Sequence, residues 1–139
     1  MKRTRLIKVA LSLAAGLGVV SCLIRGDIPA GELEARYAGA ASHFVEVRGV
    51  RVHYQDVGSG PPIVLLHGSN ASLFTWEGWQ RELSSEHRVI SLDLPGHGLT
   101  GPDPLSRYRF ADLVEFLEEF RVQLGLPRFS LAGSSTRSG

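Results

Sequence analysis

Apolar residues recur along this chain at two different periods, and the changes of period mark its elements. Phe44-Val45-Glu46-Val47 and Val50-Arg51-Val52-His53-Tyr54 alternate apolar with polar positions on either side of Arg48-Gly49, which predicts an antiparallel hairpin. Gly58-Ser59-Gly60-Pro61 then turns the chain into Pro62-Ile63-Val64-Leu65-Leu66, an unbroken apolar run suited to an interior strand covered on both faces. From Leu73 to Leu83, Trp76, Trp79 and Leu83 follow helical spacing, and Arg88-Val89-Ile90-Ser91-Leu92 returns to strand character. The strongest helix signal comes next, with Phe110, Leu113, Val114, Leu117, Phe120 and Leu124 at i, i+3, i+4 and i+7 spacing and a stop at Gly125 and Pro127. Phe129 to Ala132 is the last strand. A hairpin followed by two strand-helix-strand units predicts an α/β sheet, antiparallel at its start and parallel after it.

The first residues follow a different pattern. Lys2, Arg3, Arg5 and Lys8 precede an apolar run from Val9 to Ile24, broken only by small residues and serine. As a helix this run is about 24 Å long, and recruiting Leu6 and Ile7 brings it close to the ~30 Å hydrocarbon layer. It is expected to be an apolar N-terminal helix, with residues 6–24 in a membrane and the basic end cytoplasmic, so that the rest lies on the exported, periplasmic or extracellular side. Three forms stay open: an uncleaved signal anchor, a cleaved secretory signal, and a lipoprotein signal, because Val19-Val20-Ser21-Cys22 resembles a lipobox. Arg25 to Ser42 is polar and rich in small residues, reading as a linker with a short helix from Glu32 to Tyr37. The expected organisation is therefore a signal or anchor over 1–24, a linker over 25–42 and a folded domain over 43–139.

Composition narrows the function classes. The chain has 139 residues, 43% hydrophobic and 21% charged, which is material for one globular domain. Fifteen Lys and Arg against fourteen Asp and Glu, interleaved beyond the N-terminus, give no clustered basic surface for nucleic acid. Cys22 is the single cysteine, so an internal disulfide and a multi-cysteine metal site are excluded, and no cofactor or metal is implied.

Three strand ends carry candidate chemistry. Leu65-Leu66-His67-Gly68-Ser69 follows one interior strand, Asp93-Leu94-Pro95-Gly96-His97-Gly98 follows the next, and Gly133-Ser134-Ser135 follows the last. Open α/β sheets place ligands at the carboxyl ends of their strands. In this order and spacing, over roughly residues 43 to 136, the motifs resemble the α/β-hydrolase fold superfamily, of which the chain would be the N-terminal half. The resemblance implies that Ser135 is the nucleophile on a tight strand-to-helix turn, and that the backbone N–H groups of Ser69 and Thr136 form the oxyanion hole. It implies structural roles for His67, Gly68, Asp93, Pro95, Gly96, Gly98 and Gly133. His67 braces its loop, His97 lies on the loop surface, and His43, His53 and His87 are left without a partner.

Dehalogenases and epoxide hydrolases of this superfamily use aspartate at the nucleophile position. Serine therefore points to a small-molecule ester, thioester, lactone or C–C bond substrate, cleaved through an acyl-enzyme. The pattern also departs from the family, with Arg137 where a second small residue belongs. In the family the acid and the histidine follow the nucleophile, and the sequence after Ser135 supplies neither. The expectation is a serine hydrolase truncated at its nucleophile turn, inactive as given and poorly soluble because its last strand leaves an open edge. The alternative is a non-catalytic remnant or membrane-held binding protein.

Overall fold

Local sequence turns directly into backbone geometry at the hairpin. The computed structural model describes residues 27–134. Strands β1 (Ser42–Val47) and β2 (Val50–Val57) pair antiparallel, with Val47 opposite Val50. Arg48 and Gly49 between them take φ values of 54° and 82°, the left-handed geometry that a two-residue hairpin loop requires. Glu115 holds Arg48 in place through a 2.6 Å ion pair.

Strand β3 (Pro62–Leu66) is followed by a 3-10 turn (Leu73–Trp76), then a short helix (Glu77–Leu83), β4 (Arg88–Leu92), a longer helix (Phe110–Gln123) and β5 (Ser130–Gly133). Helix α1 (Ala30–Tyr37) lies ahead of β1, so the two later helices are α2 and α3. One five-stranded sheet results, in the order β1-β2-β4-β3-β5. The β2–β4 pair is antiparallel, and β4–β3 and β3–β5 are parallel. This is the mixed α/β sheet that the periodicity predicts, with β3 in its interior and β5 at an edge among the described residues.

Period-two alternation sends the strand side chains to two cores. On one face Val50, Val52, Val64, Ile90 and Leu92 pack with Phe116, Phe120 and Leu126. Leu65 and Val89 belong to the second cluster, where Trp76 covers them. Helix α3 ends in a double hydrogen-bonded stop, Gly125 N–H to Val122 O and Leu126 N–H to Arg121 O, with Gly125 at φ 62°. A β-carbon at that φ is strained, which is why glycine ends this helix.

Two expectations about packing need correction. The helix expected from Leu73 to Leu83 is a 3-10 turn joined to α2, and Trp79 is 57% exposed while Trp76 is buried. The tighter turn changes the phase of the side chains, leaving Trp79 edge-on against Trp76 at 5.8 Å. In α3 the buried residues are Phe116 and Phe120, whereas Phe110 is 82% and Val114 52% exposed. At about 100° per residue Leu113, Phe116, Leu117, Phe120 and Leu124 share a face from which Val114 points away.

The expected N-terminal helix, the span 6–24 and Cys22 lie outside the described residues. Among the described residues no helix is long and apolar enough to cross a membrane. Helix α1 starts two residues before the expected Glu32, and Ser42, placed in the linker by sequence, begins β1.

Candidate active site

Parallel pairing of β3 with β5 sets Leu66 opposite Gly133, so the loops that follow leave the sheet at the same end. The N–H of Ser134 donates to Leu66 O at 3.0 Å, which seats residue 134 beside the start of the His67-Gly68-Ser69 loop. His67 and Gly68 are buried and Ser69 is exposed. Ser135 and Thr136 lie outside the described residues. The last described residue before them is thus fixed beside the loop that carries Ser69.

His67 uses both ring nitrogens to shape that loop. Nε2 accepts the Leu94 N–H at 3.0 Å, and Nδ1 donates to Gly68 O at 2.8 Å. Only the neutral tautomer with its proton on Nδ1 satisfies both bonds. Burial pushes the His67 pKa below the ordinary histidine value, and the nearby His97 ring, 5.0 Å away, pushes the same way. The Gly68 carbonyl and the Asp93 charge pull against this. A ring engaged in this way has no free lone pair with which to take a substrate proton.

The expectation that His53 has no partner is wrong. His53 Nδ1 lies 2.8 Å from Asp93 Oδ2, and Nε2 lies 2.9 Å from Ser42 Oγ. Ser42, His53 and Asp93 therefore line up as in a serine-histidine-acid triad. Their surroundings assign them to structure. His53 and Asp93 are fully buried, and the Phe44 ring covers His53 at 5.1 Å. The Asp93 carboxylate also accepts the Leu73 N–H at 2.8 Å and the Leu99 N–H at 2.9 Å, and Ser42 Oγ accepts the Gly39 N–H at 3.1 Å. Strand register makes the pair: Tyr54 lies opposite Leu92, and one step further along the antiparallel β2–β4 pair sets His53 against Asp93. The remaining two histidines are peripheral, His43 exposed against the Tyr54 ring and His87 with a buried Nδ1 that makes no hydrogen bond.

Asp93 dictates the turn that follows it. Gly98 sits at φ 52°, and a β-carbon there would meet the Asp93 carboxylate at 2.2 Å. Gly96, at φ 79°, donates its N–H to Gly101 O at 2.9 Å and closes the turn. Leu94, Pro95 and His97 line a cavity of about 200 Å³ together with Asp103, Arg107 and Tyr108. Arg107 Nε lies 2.8 Å from Asp103 Oδ2, and this guanidinium holds the Asp103 carboxyl below the usual carboxylate range. Among the described residues no cluster of His, Cys, Asp and Glu could hold a metal ion.

Residues 61–136 match a family model described as alpha/beta hydrolase fold. The acetyltransferase component of an acetoin-cleaving system from Cupriavidus necator is 32% identical over 81% of this chain and 30% of its own length. A 2-hydroxy-6-oxo-2,4-heptadienoate hydrolase from Pseudomonas putida is 36% identical over 63% of this chain and 33% of its own. The chain thus spans about a third of the length of these curated relatives. Among solved structures, a bacterial membrane phospholipase A superposes with a TM-score of 0.67 at 31% identity, covering 97% of this chain and 44% of that one. An epoxide hydrolase from Vigna radiata gives 0.63 at 30% identity, over 68% of this chain and 30% of that one.

Proposed function

The chain belongs to the α/β-hydrolase fold family, and from that premise we propose that it carries the nucleophile and oxyanion loops of a membrane-tethered serine hydrolase. Ser135 Oγ attacks the carbonyl carbon of an ester, thioester, lactone or ketone, and the bond to the leaving group breaks to give an acyl-enzyme. The backbone N–H groups of Ser69 and Thr136 hold the oxygen that becomes negative, each donor supplying about 3 kcal/mol. Water then releases the acid. The observation that supports this reading is the Leu66–Gly133 register, with the Ser134 N–H on Leu66 O, because it puts the residue preceding Ser135 beside the start of the His67-Gly68-Ser69 loop.

The acid and the general base come from sequence outside residues 1–139. Two facts support this. The chain spans about a third of its curated relatives, and the described histidine-aspartate pair, His53–Asp93, is consumed in structural bonds. Serine rather than aspartate at position 135 favours acyl chemistry over the epoxide opening named for some relatives.

In the same reading residues 6–24 hold the protein in a membrane with residues 25–42 as linker and 43–139 as the hydrolase portion on the exported side. The tether is an anchor helix or a lipid on Cys22. The basic residues Lys2, Arg3, Arg5 and Lys8 ahead of the apolar run support it, as does the likeness to a membrane phospholipase A over 97% of the chain.

The test is turnover of p-nitrophenyl butyrate by residues 1–139 and by the polypeptide continued through its downstream reading frame. The longer protein is expected to turn over, with Ser135→Ala lowering kcat by about 10⁴-fold or more, and the shorter one is expected to show none. Turnover unchanged in the Ser135→Ala variant would refute the assignment.

A further inference from the structure

The peptide that joins Gly68 to Ser69 is held at one end by the His67 ring. That ring is buried, and its Nδ1–H donates to Gly68 O at 2.8 Å. The Gly68–Ser69 bond is trans. In a planar trans peptide the carbonyl and the following N–H point in opposite directions, so a bond that fixes one fixes the other. The Ser69 N–H therefore leaves the peptide on the side away from the ring. No backbone carbonyl among the described residues accepts it. Asn70, at φ 57°, then turns the chain in a left-handed conformation that asparagine tolerates.

The ring itself is anchored on one flank of β3. Its Nε2 accepts the Leu94 N–H at 3.0 Å. Leu94 follows Asp93, whose N–H donates to His53 O at 2.9 Å and whose carboxylate binds His53 and the N–H groups of Leu73 and Leu99. In the sheet, β3 has β4 on one flank and β5 on the other. His67 ties its loop to the β4 flank, and the Ser134 N–H on Leu66 O belongs to the β5 flank. We propose that His67 is a positioning residue for the reaction: by holding the Gly68 carbonyl towards the β4 flank it aims the Ser69 N–H at the β5 flank, so that this amide is set to receive a negatively charged oxygen before substrate arrives. The catalytic part of this inference rests on the serine-hydrolase reading above. A donor already aimed at the developing charge needs no reorganisation as the charge forms, which separates aiming the amide from merely bracing the loop.

The test is steady-state turnover of p-nitrophenyl butyrate by the polypeptide continued through its downstream reading frame, in two variants that each keep one of the ring's two bonds. His67→Gln puts an amide oxygen where Nε2 stands, which keeps the Leu94 bond and gives up the donor to Gly68 O. His67→Asn puts an amide N–H where Nδ1 stands, which keeps the Gly68 bond and gives up the acceptor for Leu94. His67→Gln is expected to lower kcat about 30-fold or more with KM within about threefold, approaching the ~10²–10³ of a lost oxyanion donor. His67→Asn is expected to recover about tenfold or more of that loss. A ring that only braces the loop predicts similar losses from both. Equal kcat values in the two variants, a lower value for His67→Asn, or a change in KM alone overturns the proposal. Where a variant fails to fold, a crystal structure of the longer wild-type protein reads the aim directly. It is expected to show Gly68 O on His67 Nδ1 and the Ser69 N–H facing the β5 flank, and a peptide turned the other way overturns the proposal. If that aim is present and the wild type turns over no ester, the serine-hydrolase reading falls and the positioning of the amide stands.

Discussion

His53 and Asp93 meet across the β2–β4 pair, with Nδ1 2.8 Å from Oδ2 and both side chains fully buried. The same carboxylate accepts the N–H groups of Leu73 and Leu99. One buried aspartate thus ties a central strand to both the segment after β3 and the turn after β4. Those are the segments that frame the candidate site, so its shape depends on a histidine that stands 40 residues away in sequence.

Removing that histidine leaves a buried carboxylate short of one partner. His53→Phe is expected to lower unfolding free energy by about 2 kcal/mol or more, the cost of leaving a buried carboxylate without one of its hydrogen-bond partners. Ser42→Ala, which removes only the outer hydroxyl, costs about 1 kcal/mol. Urea unfolding midpoints measure both, and equal small losses would show that the Asp93 carboxylate reaches water.

Acid should loosen the His67 loop. Folding favours the neutral ring, so below the unfolded-state histidine value of about 6.5 the unfolded chain binds more protons than the folded one. The stabilisation is fully present above that pH and is lost as pH falls through the lower folded-state value. Unfolding free energy measured across this window is expected to decline for the wild type, and His67→Gln is expected to remove His67's share of the slope.

Gly98→Ala tests the fit of the turn around Asp93. The new β-carbon would lie 2.2 Å from the carboxylate, at a φ of 52°. The expected loss is about 2 kcal/mol or more, from backbone strain together with the forced displacement of Asp93. Thermal or urea denaturation reads it.

Much of the architecture was legible because it is set by short-range pattern. The Arg48-Gly49 turn, the apolar run Pro62 to Leu66 and the Gly125 stop each impose geometry within a few residues, and the structure has them there. What stayed hidden depends on which strands become neighbours. Nothing local says that β2 lies against β4, so the His53–Asp93 contact and its Ser42 extension were invisible in the sequence. The phase of α3 failed for a related reason. Phe110 and Val114 satisfy helical spacing as well as Phe116 does, and only the sheet beneath decides which of them is buried. At the candidate site the loop around Ser69 was readable from its His-Gly motif, and the double use of the His67 ring was not.

Backbone and side chain at Ser69 should separate cleanly in the longer protein. Ser69→Ala keeps the N–H and is expected to leave ester turnover within about twofold, whereas Ser69→Pro removes the donor and is expected to cost ~10²–10³ in kcat. Steady-state kinetics on one ester distinguish the two. A large effect from Ser69→Ala would assign the hydroxyl, rather than the amide, to the reaction.

Treatment of the longer protein with a fluorophosphonate, followed by peptide mapping of the adduct, tests the nucleophile assignment most directly. The expected result is a single phosphonylated serine at position 135, absent from the Ser135→Ala variant. An adduct on Ser42, the hydroxyl that the His53–Asp93 pair contacts, would contradict the assignment and transfer the reaction to the buried triad.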